Sequence, residues 1–90
     1  LTLRDDAPFT RHDVVTYLEE KMIGTRLIFA GNITRQPAFK KVNYRVHGDL
    51  VNTDKIMNDS FWIGVWPGID LDRREYMVQT FSRMVKEIAK

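Results

Sequence analysis

The amino-acid sequence predicts an α/β domain of two layers, in which a small sheet of about three strands carries two main helices on one face. Apolar residues recur at helical spacing in two segments, one in each half of the chain. Short runs rich in β-branched and aromatic residues lie between these segments and are bounded by glycine or proline. No linker or internal repeat divides the chain, so residues 1–90 are predicted to form a single domain.

The composition excludes several classes of protein. With 43% hydrophobic and 29% charged residues the chain is ordinary for a globular domain, and its apolar runs are far shorter than a membrane span. The absence of cysteine excludes disulfides, thiolate catalysis and cysteine-ligated clusters within these residues, and is compatible with a cytoplasmic location. A balance of 14 basic and 12 acidic residues is too even for a nucleic-acid-binding surface.

The start of the chain has the pattern of a strand inside a protein. Leu1–Arg4 alternates apolar and polar residues, with neither a start methionine nor a signal segment before it, so we expect a piece excised from a longer protein. A first helix is predicted from about Arg11 to Met22 or Ile23. Thr10 is its expected N-cap and Gly24 its expected left-handed terminator.

Two more strands are predicted on either side of an irregular basic segment. Thr25–Ala30 has strand composition, and a short helix from about Thr53 to Asn58 follows later in the chain. Phe61–Trp66 is the clearest strand and is apolar on both faces. We expect Phe61, Ile63 and Val65 on one face and Trp62 and Trp66 on the other. That second face needs another body to cover it.

The last helix is the strongest helical prediction. It is expected from about Leu71 to Ala89, with Asp70 as its N-cap. Its methionines are interpreted as core filler. The predicted apolar stripe comprises Leu71, Met77, Val78, Phe81, Met84, Val85 and Ile88.

The segment Gly24–Phe39 joins a predicted strand to a loop dense in polar groups. Loops held by a rigid scaffold often carry binding residues, and planar guanidinium groups match phosphate and carboxylate geometry. The predicted substrate-binding residues are Arg26, Asn32, Arg35 and Arg45. The alternative is that one or more of these arginines pair with Asp49, Asp54 or Asp59 and act only structurally.

No catalytic, cofactor-binding or metal-binding residue is predicted in the chain. It contains no glycine-rich phosphate loop, metal-ligand pair, Ser-His-Asp set or carboxylate dyad. We therefore expect these 90 residues alone to be inactive.

Four segments resemble a known enzyme family, 23–39, 44–50, 52–58 and 61–68, and the resemblance as a whole covers essentially all 90 residues. They resemble the C-terminal end of the CDP-4-keto-6-deoxy-D-glucose 3-dehydrases, the lipopolysaccharide-biosynthesis branch of the sugar aminotransferase family. Ordinary sugar aminotransferases of that family usually have Pro-Leu-His where this chain has Asn32-Ile33-Thr34. This departure favours the dehydrase branch.

The resemblance implies the small C-terminal domain of an enzyme with the aspartate-aminotransferase fold. Such a parent enzyme is a homodimer that uses pyridoxamine or pyridoxal 5′-phosphate, an iron–sulfur cluster and an NADH-dependent flavin/iron–sulfur reductase. It removes the C3 hydroxyl of a CDP-sugar in 3,6-dideoxyhexose and O-antigen biosynthesis. The resemblance places the cofactor and cluster residues in the large domain, so neither group is expected to be held by this chain.

Two other functions remain open from the sequence. One is the small domain of a nucleotide-sugar aminotransferase, which a lysine at the Schiff-base position of the large domain would indicate, whereas a histidine there indicates dehydration. The other is a freestanding module that stacks single-stranded nucleic acid on Trp62 and Trp66. The near-neutral charge is against that module.

Overall fold

The computed structural model describes residues 1–89, in which three α-helices, two short strands and two 3₁₀ turns alternate. In chain order the helices and strands are α1 (Arg11–Glu20), β1 (Thr25–Leu27), α2 (Val51–Asp59), β2 (Phe61–Ile63) and α3 (Leu71–Ile88). The 3₁₀ turns are Ile33–Arg35 and Pro37–Phe39, both between β1 and α2. The α/β class is confirmed. None of the helices described is both long and apolar enough to cross a bilayer.

The sheet of the described residues has two antiparallel strands, β1 and β2, and not the three that the sequence predicts. The expected strand at Leu1–Arg4 is reduced to a single bridge between Thr2 and Ser60. Leu3 donates its N–H to the carbonyl oxygen of Asp59 at 3.0 Å, and Phe61 donates to that of Leu1 at 2.9 Å. A turn begins directly after Leu3, so too few residues remain to form a ladder.

The N-terminus of α1 agrees with the prediction, whereas its C-terminus does not. Thr10 and Asp13 form a reciprocal capping box, in which each side chain accepts the other's backbone N–H. The helix ends at Glu20, and the left-handed residue is Met22, with φ of 63°, so the prediction for Gly24 is wrong. Ile23 donates to the carbonyl oxygen of Leu18 at 2.9 Å, which completes a Schellman turn and buries Ile23.

The predicted strands are too long and the predicted short helix is too short. Strand β1 stops at Leu27 because Phe29 takes φ of 40°, which no strand residue adopts. Strand β2 stops at Ile63, before Gly64 and Val65. Helix α2 starts two residues before Thr53, directly after Leu50, which has φ of 57°. Left-handed residues, Phe29 and Leu50, thus mark the end of β1 and the start of α2.

Helices α1 and α3 pack on the same side of the sheet. The buried core consists of Val14, Leu18, Ile23, Phe61 and Met84, so both helices and β2 contribute to it. Asp70 caps α3 as predicted, its carboxylate accepting the N–H of Arg73 at 2.9 Å.

Only part of the predicted apolar stripe of α3 reaches the core. Met77, Phe81 and Ile88 pack around buried Met84, which confirms the methionines as core residues. Leu71, Val78 and Val85 are 59%, 68% and 47% exposed, so their assignment to the core is wrong. These three residues are seven positions apart and form a separate stripe, rotated about one third of a turn from Met84.

Candidate substrate-facing site

The exposed face of the sheet combines an arginine with aromatic side chains. Arg26 in β1 lies directly opposite Trp62 in β2. The ring of Phe29 meets that of Trp62 edge to face, with centroids 5.6 Å apart. An open groove of about 370 Å³ lies along this face, lined by residues 24–26 and 62–65. Arg26 thus lines an exposed surface together with aromatic and aliphatic side chains.

The exposure of both tryptophans in the chain is confirmed. Trp62 is 43% exposed and Trp66 is 73% exposed, while Phe29 is 85% exposed. Val65 is 87% exposed, so its predicted place on the buried face beside Phe61 is wrong. The alternation of a strand does not extend past Ile63, where β2 ends. Large exposed apolar side chains of this kind are typical of interaction surfaces and ligand-binding grooves.

Arg26 forms no ion pair within 4 Å among the described residues, although its charge contributes to the lowered pKa of Glu19. Its Nη1 donates to the adjacent carbonyl oxygen of Thr25 at 3.0 Å. Thr25 itself is buried and donates through its N–H and its hydroxyl to Glu19 of α1, at 2.7 and 2.8 Å. These hydrogen bonds lower the pKa of the Glu19 carboxyl below its ordinary value. Glu19 thus fixes the start of β1 and lies close enough to Arg26 to interact with its charge.

Asn32 lies inside the protein and organises the loop after β1. It is 2% exposed, and its Nδ2 donates to Oδ1 of Asp54 at 2.9 Å. Its Oδ1 accepts the N–H of Thr34 at 3.1 Å and the hydroxyl of Thr34 at 2.6 Å. Both ends of the amide are therefore used within the fold, and Asn32 caps the 3₁₀ turn that follows it.

Arg35 pairs with Asp54, one of the acidic partners that the structural alternative names. Its Nε and Nη2 donate to the two carboxylate oxygens at 2.8 and 2.7 Å. This pair and the hydrogen bond from Asn32 lower the pKa of Asp54 to about 2. The structure thus brings two predicted site residues, Asn32 and Arg35, together at one carboxylate.

Arg45 lies on an exposed segment without regular structure, between the second 3₁₀ turn and α2. No hydrogen bond or ion pair of its side chain occurs in residues 1–89. The neighbouring ring of Tyr44 meets Phe39 edge to face at 6.4 Å. No described contact joins Arg45 or Arg26 to the pair formed by Arg35 and Asp54, so the four predicted residues occupy three places.

Two basic residues outside the predicted site attach α2 to the rest of the fold. Arg11 donates through Nη1 to the carbonyl oxygen of Met57 and, at 3.4 Å, to that of Ser60. Lys55 donates to the carbonyl oxygen of Leu3 at 2.9 Å and pairs with Asp5 and Asp59. The sequence offers one signal for the role of Lys55: it lies four residues before Asp59, a spacing at which opposite charges can pair on a helix surface.

The groove on the sheet face does not offer the groups expected for the cofactors that the resemblance implies. The groove residues supply no amine and no carboxylate, the groups expected to hold a pyridoxal or pyridoxamine ring. No cysteine is present for an iron–sulfur cluster. Within residues 1–89 no group of three or more His, Asp or Glu side chains is placed to hold a metal ion.

Comparison with known proteins identifies the family. The chain is 49% identical over 82 residues to the lipopolysaccharide biosynthesis protein RfbH of Salmonella typhimurium strain LT2, covering 91% of this chain and 19% of that protein. It is 46% identical over 85 residues to a dTDP-4-dehydro-2,6-dideoxy-D-glucose 3-dehydratase of Saccharopolyspora spinosa, covering 94% and 18%. The chain thus spans about one fifth of the length of these relatives. The family model matches residues 1–82, and the chain belongs to the DegT/DnrJ/EryC1/StrS aminotransferase family.

Proposed function

We propose that this chain is the C-terminal small domain of a pyridoxamine-phosphate-dependent sugar 3-dehydrase that acts on CDP-4-keto-6-deoxyglucose. Family membership and two relatives named for lipopolysaccharide biosynthesis and for a sugar 3-dehydratase support the reaction class. The product belongs to 3,6-dideoxyhexose and O-antigen biosynthesis in the cytoplasm. The single structural observation that supports a role at the active site is the exposed pairing of Arg26 with Trp62.

The exposed sheet face serves, in this proposal, to close the active site. Phe29 and Trp62 on this face, with exposed Trp66 beyond the end of β2, cover the large domain of the same chain and exclude water from it. The large domain holds the cofactor, which supplies the electron sink for loss of the C3 hydroxyl. It would also hold the iron–sulfur cluster, and an NADH-dependent flavin/iron–sulfur reductase would be the partner that supplies electrons. The complete enzyme is a homodimer.

The arginines bind the substrate's diphosphate. Arg26 and Arg45 form no ion pair within 4 Å among the described residues, so each guanidinium can bind an anion, although Glu19 lies near enough to Arg26 to interact with its charge. Arg35 keeps donors beyond those it gives to Asp54. Asn32 contributes indirectly, because its amide holds the loop that carries Arg35.

Alanine substitutions in the full-length enzyme test this assignment. Arg26→Ala and Arg45→Ala should raise KM for the CDP-sugar or reduce turnover by about tenfold or more, which corresponds to about 1.4 kcal/mol. Arg4→Ala is the matched control, since Arg4 is an exposed arginine whose partner is Asp6 at 3.0 Å. Parental kinetics in both variants, with only thermal stability changed, would remove these arginines from the site.

A sugar aminotransferase is the second candidate, favoured by the name of the family. The full-length protein decides between the two reactions. Transamination requires a lysine that forms a Schiff base with the cofactor, and its product carries nitrogen from an amino donor. Mass analysis of the product distinguishes a deoxygenated sugar from an amino sugar.

A further inference from the structure

The loop between β1 and the first 3₁₀ turn is attached to α2 at several points. Gly31 has φ of 65°, and a Cβ atom there would lie 2.7 Å from Cβ of Met57 and closer still to its Cγ. Asn32 is buried and bonded to Asp54. Gln36 donates through Nε2 to the carbonyl oxygen of Ala30 at 2.9 Å, which closes the loop across its base. The loop is therefore built onto the helix.

Asp54 is the residue at which the polar contacts of the loop meet. Its carboxylate accepts three hydrogen bonds, from Nε and Nη2 of Arg35 and from Nδ2 of Asn32. Charge-assisted hydrogen bonds with two parallel N–H···O contacts fix orientation as well as distance. The low pKa of Asp54 keeps the carboxylate ionised at neutral pH. The guanidinium of Arg35 is thus fixed from one side.

The pair with Asp54 uses only one edge of the Arg35 guanidinium. Arginine has five N–H donors, and Asp54 accepts two of them. The side chain of Arg35 is 60% exposed, and no second acceptor contacts it among the described residues. The edge formed by Nη1 and the other Nη2 hydrogen remains available, and its fork geometry matches two phosphate oxygens.

We infer that Asp54 is a positioning residue that holds Arg35 so that the free edge binds the diphosphate of the nucleotide sugar. The inference rests on the proposed function. Without Asp54 the long side chain of Arg35 must lose rotamer freedom when the ligand binds, which weakens the complex. Coulomb's law alone predicts the opposite, since removal of a carboxylate near an anion strengthens binding. Weaker anion binding after removal of the Asp54 carboxylate therefore indicates positioning, whereas stronger binding indicates charge repulsion.

The test uses the full-length protein and two readouts. Binding of inorganic pyrophosphate is measured by calorimetry, and steady-state kinetics are measured with CDP-4-keto-6-deoxyglucose. Asp54→Asn and Arg35→Ala should each weaken pyrophosphate binding about tenfold and raise KM more than they lower kcat. The double variant should be no worse than Arg35→Ala, because Asp54 acts through Arg35. Asp54→Glu should restore part of the binding.

Asp59→Asn is the matched control. It removes a carboxylate from the same helix that pairs with Lys55 at 2.8 Å, away from the loop. This variant should keep parental pyrophosphate affinity and KM. An equal loss in Asp59→Asn would attribute the effect to the stability of α2 and overturn the inference.

The remaining outcomes separate the inference from the proposed function. If Arg35→Ala weakens binding but Asp54→Asn binds as well as or better than the parent, positioning is wrong and the proposed function stands. If the parent binds pyrophosphate but does not turn over the CDP-sugar, and both variants bind pyrophosphate more weakly than the parent, the proposed function is wrong and positioning stands. If pyrophosphate does not bind the parent, or binds Arg35→Ala equally, the inference is overturned.

Discussion

Gly31 lies against Met57 of α2 with no space for a side chain. A Cβ atom at position 31 would overlap the Met57 side chain, and the backbone there has φ of 65°, a conformation that L-residues with a Cβ rarely adopt. Steric fit and backbone conformation both require glycine at this point. The junction of the loop with α2 therefore depends on one residue without a side chain.

Gly31→Ala should reduce the free energy of unfolding by about 2 to 4 kcal/mol, since overpacking adds to the strain of positive φ. Gly48→Ala is the control, because Gly48 has φ of 74° but no atom within 4 Å of the added Cβ. It should lose only about 1 to 2 kcal/mol. Urea denaturation measures both, and equal losses would show that the contact with Met57 is not limiting.

Acid should remove the contribution of Asp54 to stability. Its pKa is about 2 in the folded protein and close to 4 in an unfolded chain, so the unfolded state binds more protons between these values. The contribution is present in full above about pH 5 and declines as the pH falls towards 2. The parent should approach Asp54→Asn in stability over this range, measured by denaturation at several pH values. Glu19 titrates in the same direction in both proteins, so its effect cancels. A constant difference between them would contradict the role of Asp54.

Thr80→Val should stabilise the domain by about 1 kcal/mol. Thr80 is 1% exposed, and its hydroxyl has no hydrogen-bond partner among the described residues. Valine has the same shape and removes the cost of burying an unpaired polar atom. Ser82→Ala is the control, since the hydroxyl of Ser82 is exposed and donates to the carbonyl oxygen of Val78 at 3.0 Å. The melting temperatures of the variants measure the difference, and a lower one for Thr80→Val would show that the hydroxyl is satisfied.

The fluorescence of the two tryptophans should show whether another surface covers them in the full-length protein. In the 90-residue chain Trp62 and Trp66 are exposed, so acrylamide should quench their fluorescence efficiently. In the full-length protein the large domain is expected to cover them and reduce that quenching. Single Trp→Phe variants at both positions, measured in each protein, separate these two indoles from others. Equal quenching in the short and long proteins would contradict the docking of this face.

The 90-residue chain should bind pyridoxamine 5′-phosphate weakly or not at all, because its groove lacks the amine and carboxylate that the cofactor requires. Titration calorimetry on the short chain measures this directly. The full-length protein is the positive control. A micromolar dissociation constant for the short chain would show a cofactor site that these residues do form.

The sequence alone determined the α/β class, the helices α1 and α3, and the caps at Thr10 and Asp70. These features depend on residues close together in the chain: apolar positions at helical spacing, and cap side chains that bond to an N–H three residues later. The exposure of Trp62 and Trp66 was also predicted, because a strand apolar on both faces cannot cover both within so small a domain.

Only the tertiary structure decided the strand count, the helix ends and the partners of the loop. Met22 became the left-handed terminator because Ile23 enters the core, and the stripe of Leu71, Val78 and Val85 was turned outwards because α3 packs through Met84. The pairing of Arg35 with Asp54 joins residues 19 positions apart. Pairing and burial between distant residues depend on which surfaces the folded chain brings together, and local periodicity contains no information about that choice.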